Sequence, residues 1–459
     1  MIWLNLTLTA NIKFHKAMNR FILSIFSILM FILSVDGTIA LRYLLLTILI
    51  IFLLFYVKNN QGVLTIVKTS KELKLTFISL CVFISYIFFH TIFFSLEPAW
   101  SLSEFKSHII YPSICFAVGI MLAGYVNQSK DITKETLITI LFYSMFIHVL
   151  YLDLVAIDTV LREGYMLRRY GGLMDSPVLP NYLTNILLAM IIAEFVYRMR
   201  IKKQVLKISD PILYMFLVAC IFSTFVEALR LGDIALVFLG IGSSMVFLYK
   251  NNEYSVKVRS LIAAGLIIIL TVPLIYNIST DPRWAKLVET VPVAVSSSGD
   301  ESFLDPAAPT LKTESGYEVT GSNYTRIVYA VKSFKYIVED PMGVGFGRNA
   351  FGHALELRHP EYAKRGLNAH SAILELAVGA GFIGAFLWLY FVYVTVKAAI
   401  IEFKRSYNYY AILTLFITMG FVGRGFVDAN MRDHMFLQFM IILGISLYFM
   451  ILDKNKTIE

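Results

Sequence analysis

Charge and cysteine are both scarce in this chain. Asp, Glu, Lys and Arg make up 16% of 459 residues, about two thirds of what a soluble globular domain carries. The three cysteines, Cys81, Cys115 and Cys220, each lie inside an apolar run. They are too few and too scattered for a disulfide framework or a thiolate metal site, and they read as small packing residues. No internal repeat is visible, which argues against transporter folds assembled from duplicated halves. No small-residue cleavage pattern follows the first apolar run, Phe21 to Val35, so a removable signal segment is not expected.

Apolar residues are abundant instead: 58% of the chain is hydrophobic and 14% is aromatic. Repeated apolar runs of about 20 residues imply membrane-spanning helices, because lipid offers no partner to an unpaired backbone group. Twelve spans are expected, near residues 20–35, 38–57, 75–95, 109–126, 135–157, 182–199, 211–229, 233–249, 259–278, 371–396, 409–427 and 434–452. The expected fold is therefore an all-α polytopic membrane protein. It divides into an N-terminal membrane region (1–278), one large loop (279–370) and a C-terminal membrane region (371–459).

Basic residues give the orientation. Lys13, Lys16 and Arg20 precede the first span, and Lys58, Lys68, Lys71 and Lys74 follow the second. Arg198, Arg200, Lys202, Lys203 and Lys207 follow the sixth; Lys250, Lys257 and Arg259 the eighth; Lys397, Lys404 and Arg405 the tenth. With twelve spans all of these share one side, and both termini are cytoplasmic. The net charge of +8 then belongs to membrane insertion, not to nucleic-acid binding.

The opposite side holds short loops at 96–108, 158–181, 229–233 and 427–434, together with the long one. Residues 279–309, rich in Ser, Asp and Pro, read as irregular. From Tyr324 to Val338 the apolar positions Ile327, Val328, Val331, Phe334, Tyr336, Ile337 and Val338 suit an amphipathic helix on the bilayer or on the spans below, stopped by Pro341.

This outer side is unusual in its cations. Arg162, Arg168, Arg169, Arg230 and Arg432 lie in its short loops, with Arg424 just inside a span end, and Lys106 is the one lysine among them. Positive charge there opposes the insertion bias, so something should compensate it. Arginine's planar fork can hold two oxygens of a phosphate at once, and the set is expected to converge on a pyrophosphate. The plainer alternative is that these side chains snorkel to headgroups or pair with Glu163, Asp233 and Asp428. Arg230 closes a span where the chain must turn back, with Glu227 one turn earlier as its simplest salt-bridge partner.

His370 opens the tenth span, with Asn368 as its expected helix cap. A histidine in a helix's first turn feels the positive end of the dipole, which favours the neutral, proton-accepting imidazole. Its plainer role is a polar cap on an amphipathic end; His353, His359, His108 and His434 are weaker candidates for chemistry. Gly379, Gly381 and Gly384 have the spacing that lets another helix approach closely. The turn from Pro341 to Asn349, with Gly343, Gly345 and Gly347, lacks the Lys-Ser/Thr ending of a nucleotide-binding loop and is expected to be a tight turn laid on the membrane domain. The outer loops offer no close carboxylate pair for a divalent ion: Asp428 and Asp433 flank Arg432 and suit charge pairing instead.

At these residues the sequence resembles the O-antigen ligase and O-antigen polymerase superfamily. The matching segments are Arg326 to Asn349, His370-Ser371 through Leu374-Glu375-Leu376 with Gly381 and Gly384, Arg169 with Gly172, Pro180-Asn181, Arg230 before Gly232, and Asp428. The resemblance covers residues 165–450 and is strongest over 322–390. Ser371 stands where the family commonly has Asn and Leu229 where it often has Ser or Thr, and Ser176 to Leu179 looks like an insertion.

The resemblance implies a GT-C-like fold of about twelve transmembrane helices, with one large periplasmic loop containing short helices, in the bacterial inner membrane. It implies a metal-independent glycosyltransferase without a cofactor. The donor would be a glycan on undecaprenyl pyrophosphate. The acceptor would be lipid A-core for a ligase, or a second lipid-linked glycan for a polymerase. His370 would be catalytic, Arg230, Arg326 and Arg169 would bind the pyrophosphate, and Asp428, Arg432 and Glu375 would support them. The one dominant loop directly before the histidine span favours the ligase. A polysaccharide exporter or flippase predicts charges near the middle of several spans, as His148 and Asp153 are in one. A protein-glycosylating member of the superfamily would tend to be longer.

Overall fold

The computed structural model describes residues 2–59, 71–174, 176–249, 255–280, 282–299, 304, 311–316, 318–319, 321–362 and 366–456. In chain order the helices are α1 (Ile2–Ile32), α2 (Ile39–Asn59), α3 (Lys71–Phe93), α4 (Pro98–Phe105), α5 (Tyr111–Gln128), α6 (Lys134–Glu163), α7 (Val178–Ile201) and α8 (Asp210–Glu227). There follow α9 (Arg230–Leu248), α10 (Val256–Thr280), α11 (Pro282–Ser297), α12 (Gly321–Glu339), α13 (Ala350–Arg358), α14 (Ala372–Ser406), α15 (Tyr409–Gly425) and α16 (Asp433–Lys456). Each of the twelve apolar stretches falls on one of these helices. Among the described residues, nine helical segments are long and apolar enough to cross a membrane; Ala235–Leu248 and Tyr409–Gly425 are apolar but shorter. This is the make-up of a multi-pass membrane protein.

Three expectations are corrected. Residues 279–309 are not irregular throughout, since Pro282–Ser297 forms α11 with Pro292 inside it; the two prolines hid the helix. The stretch 96–108 is not a loop. A π-turn at Lys106–Ile110 joins α4 to α5, so Pro98–Gln128 runs as one helical segment. The face of α12 also differs from the apolar pattern. Val328 and Tyr336 are buried as expected, but so are Tyr329, Lys332 and Ser333, while Phe334 and Val338 are 62% and 79% exposed.

α16 is buried nearly all round, as a helix without a polar face must be. Its tightest neighbour is α5. A Cβ added at Gly119 would lie 2.3 Å from Ile441 O, and one at Gly444 2.3 Å from Phe116 O, so the two backbones meet at these glycines. The glycines singled out in the sequence behave differently. Gly384 does pack against a helix, facing Tyr86 and Ile87 of α3, but Gly379 and Gly381 receive the Gly-rich turn instead.

α14 breaks at Gly381 (φ 71°, ψ 177°). There Phe382 N–H donates to Pro341 O (3.1 Å), Val344 N–H to Val378 O (3.0 Å) and Gly345 N–H to Gly379 O (2.9 Å). The far side of the turn is tied to the corner after α3, where Leu96 N–H donates to Val344 O (3.0 Å). The turn is thus clamped between two membrane helices, and it fixes where α13 and the start of α14 sit. A methyl group at Gly381 would meet Pro341 O and Met342 O at 2.5 Å, at a φ that L residues avoid. Gly381→Ala is expected to destabilise the fold by roughly 2–4 kcal/mol, combining strained backbone with overpacking. A thermal midpoint in detergent matching wild type would contradict this.

The helix ends expected to share the basic side do meet. Arg198 binds Asp210, Glu194 and the carbonyls of Leu206 and Ile208. Arg200 and Arg259 both donate to Tyr249 O, and Arg200 lies over the Phe403 and Tyr407 rings. The opposite end carries the candidate site.

Candidate active site

Helix α14 starts from a turn that holds His370 in a specific pose. The helix cap is Ser371, whose hydroxyl accepts from Leu374 N–H (3.3 Å), and not Asn368. Asn368 Oδ1 instead accepts the His370 N–H (3.0 Å). His370 therefore stands just ahead of the helix, with a left-handed φ of 53°. Its imidazole lies parallel to the Tyr329 ring (6.3 Å, 3°), and Tyr329 packs on Phe351 (4.8 Å). Ala372 N–H donates to Asp428 O (3.0 Å) and Ser371 Oγ to Gly425 O (3.2 Å), which pins this turn to the end of α15.

Glu375 is buried, and its carboxylate accepts the N–H of Ala369 and, at 3.1 Å, of Phe351. It thereby caps α13 and anchors the residue before His370, so its role is to fix geometry.

Arg326, on α12, reaches the same place. Its Nη1 is 3.5 Å from Val427 O, and its charge is felt by Asp428, Arg169 and His370. Arg169 is held by its backbone, with its N–H donating to Val226 O at the end of α8 (2.8 Å). Like His370 it is left-handed (φ 58°), and Ala228 (φ 46°) completes three strained non-glycine residues at this end. Burial, then Arg326, and also Arg432 lower the His370 pKa to about 4, with Asp428 pulling the other way. Burial also lowers the pKa of Arg326, helped by Arg169 and opposed by Asp428, and raises that of the Tyr329 phenol. Arg169, Arg326 and Arg432 form no ion pair with any described carboxylate.

The arginines do not all converge. Arg162 pairs with Asp158 on its own helix, exposed to solvent (2.7 Å). Arg168 donates to Thr280 Oγ1 on α10 (2.8 Å). Arg424 is buried and takes the plainer reading, since its Nε donates to Asp428 Oδ2 (2.8 Å). Its Nη1 donates to Asn181 Oδ1 (2.9 Å) and its Nη2 to Val178 O (2.9 Å). Arg230 opens α9, but its side chain lies outside the described residues, as do those of Asp233 and Asp433. Glu227 is engaged elsewhere: its carboxylate accepts from Asn181 Nδ2 (2.7 Å) and Thr184 Oγ1 (2.6 Å). A Cβ at Gly232 would strike the Asn181 amide at 2.1 Å, so α9 starts in direct contact with this network.

Sequence reasoning missed Tyr329 and the Asn181–Glu227–Arg424 network. Pro180-Asn181 was visible as a motif, but nothing in the spacing showed which partners Asn181 would take. Among the described residues no group of three or more His, Cys, Asp or Glu is placed to hold a metal ion. No family model matches the chain, and no curated protein shows significant similarity to it.

Proposed function

We propose that this protein is a glycosyltransferase of the O-antigen ligase type, transferring a glycan from undecaprenyl pyrophosphate to a sugar hydroxyl of lipid A-core. The observation that carries this reading is the His370 imidazole, held against Tyr329 and next to the Arg326 and Arg432 charges, which pair with no carboxylate among the described residues. Guanidinium groups gathered at one place can hold the oxygens of a phosphate as planar forks. The wider assignment goes with it: a GT-C-like membrane domain of twelve crossings, termini in the cytoplasm, the site at the periplasmic face and the surrounding lipid as solvent.

In this mechanism the acceptor hydroxyl attacks the anomeric carbon while His370 takes its proton. The bond from that carbon to the pyrophosphate oxygen breaks, and the departing lipid pyrophosphate gains negative charge. Arg326, with Arg169 and Arg230, stabilises that charge, so the route needs no metal ion. Asp428 and Arg432 adjust the field at His370, and Glu375 keeps the histidine turn in place.

The deciding experiment incubates purified protein with lipid-linked glycan and, separately, lipid A-core or a second lipid-linked unit. Glycosylated lipid A-core supports the ligase; lengthened lipid-linked chains move the assignment to the polymerase. No transfer to either acceptor, with donor intact, refutes both. Within this reading, Arg326→Ala and Arg230→Ala should each lower turnover by about 100-fold, and the lysine variants by less. Equal tolerance of Ala and Lys at both positions removes the pyrophosphate role.

A further inference from the structure

Helix α4, the Gly-rich turn and α13 border a cavity of about 260 Å³, lined by Trp100, Glu104, Arg348, Asn349, His353 and Gly366. It is built, not incidental. Glu104 is fixed from two sides, accepting the Arg348 N–H (3.0 Å) and lying 3.3 Å from His108 Nε2. The Trp100 ring packs on Gly347, where a Cβ would lie 2.3 Å from the indole, and sits 4.4 Å from the buried His353 ring.

Asn349 gives the cavity its direction. It occupies the N-cap position of α13, where an Asn side chain ordinarily accepts an N–H from the first turn. It makes no such bond. Glu375 has taken the Phe351 N–H, and Asn349 Oδ1 is left buried with no hydrogen-bond partner among the described residues. An acceptor released from its structural duty, beside an indole, a carboxylate and a guanidinium, is the equipment of a carbohydrate subsite. The flat apolar face takes a ring's C–H side, and the polar groups take its hydroxyls. A smaller cavity shares Arg348 as a wall and reaches Ala372 and Arg432, beside the His370 turn.

Given the transferase reading above, on which this rests, we propose that the cavity holds a pyranose ring of the acceptor glycan, adjoining the sugar whose hydroxyl meets His370. Of the cations assigned above to the donor pyrophosphate, Arg169 is bonded to the end of α8 and Arg326 is on α12. The Trp100 cavity is tied to α4 and α13, leaving it for the other substrate.

The test is steady-state transfer by the full-length protein, varying lipid A-core at saturating donor and then donor at saturating lipid A-core. Trp100→Ala and Asn349→Ala are expected to raise the KM for lipid A-core about tenfold each, with donor KM unchanged. Asn349→Ala also serves as the folding control. Its Oδ1 has no partner among the described residues, so the thermal midpoint of the variant should equal or exceed wild type. An unchanged KM for lipid A-core in Asn349→Ala, or a rise in donor KM instead, overturns the subsite while leaving the transferase reading in place. Wild-type transfer by His370→Ala overturns that reading itself.

Discussion

His370→Ala is expected to lower glycan transfer by about 100- to 10,000-fold, the range a positioned general base supplies, with the protein still in the membrane at wild-type level. The size of the loss follows from how firmly the imidazole is held. Asn368 bonds its N–H, Tyr329 lies parallel to its ring, and the next two residues are bonded to the end of α15. A water molecule entering the space of the lost ring has none of that orientation. Because His370 has a left-handed φ, alanine there adds backbone strain. His370→Asn is therefore the cleaner variant: Asn tolerates this region and has no basic nitrogen. It should retain the wild-type thermal midpoint and lose the activity. Wild-type turnover in purified His370→Asn protein would remove the histidine from the mechanism.

The pH dependence follows from the same residue. With its pKa lowered to about 4, the His370 imidazole is neutral and able to accept a proton at all higher pH in the substrate-free protein. The acid limb of kcat/KM, which reports the free enzyme, should therefore lie near pH 4. Arg326 is the second cause of that depression, after burial. Arg326→Gln removes a positive charge beside the ring, so the pKa rises and the acid limb moves up in pH. For stability the sign is the same as in the usual case of a carboxylate with a depressed folded pKa. The unfolded imidazole binds its proton near 6.5 and the folded one only near 4. Falling pH thus favours the unfolded state progressively between those values.

The long helices were legible because a span needs about 20 apolar residues and nothing else imitates that pattern. Tyr329 and Asn181 were not legible, for a physical reason. Each acts through a partner far away in sequence: Tyr329 on His370, and Asn181 on Glu227 and Arg424. Periodicity carries no record of such pairings. The glycine pattern misled in the same way. Gly379 and Gly381 have the spacing of a helix-crossing face, but their missing side chains admit a turn, because Gly381 itself breaks the helix. Gly384 alone of that pattern faces a membrane helix, and the closest approach of two helix backbones is at Gly119 and Gly444, which sit on separate helices. Among the arginines, sequence could count the cations but not sort them. The sorting depends on which guanidinium finds a carboxylate once folded, and Arg162 and Arg424 do.

That sorting yields the largest stability effect. Arg424→Ala is expected to cost about 3–5 kcal/mol, the range for removing one partner of a buried ion pair. The Arg424 and Asp428 side chains are 2% and 11% exposed, and all three donating nitrogens of the guanidinium are satisfied within the protein. Without them Asp428 is left as a buried charge, and Asn181 Oδ1 and Val178 O lose their donor. Lysine cannot replace a three-way fork from one point, so Arg424→Lys should recover only part of the loss. Arg432→Ala should do the opposite. Arg432 pairs with no described carboxylate, so its removal should shift stability by no more than about 0.5 kcal/mol, yet it should weaken transfer because the proposed anion site loses one of its cations. The measurement is a thermal or denaturant midpoint in detergent beside turnover for each variant, with Arg424→Ala/Asp428→Ala closing the double-mutant cycle. If Arg432→Ala destabilises the protein as much as Arg424→Ala while retaining its turnover, then the division between an arginine that holds the fold and one that serves an anion is wrong.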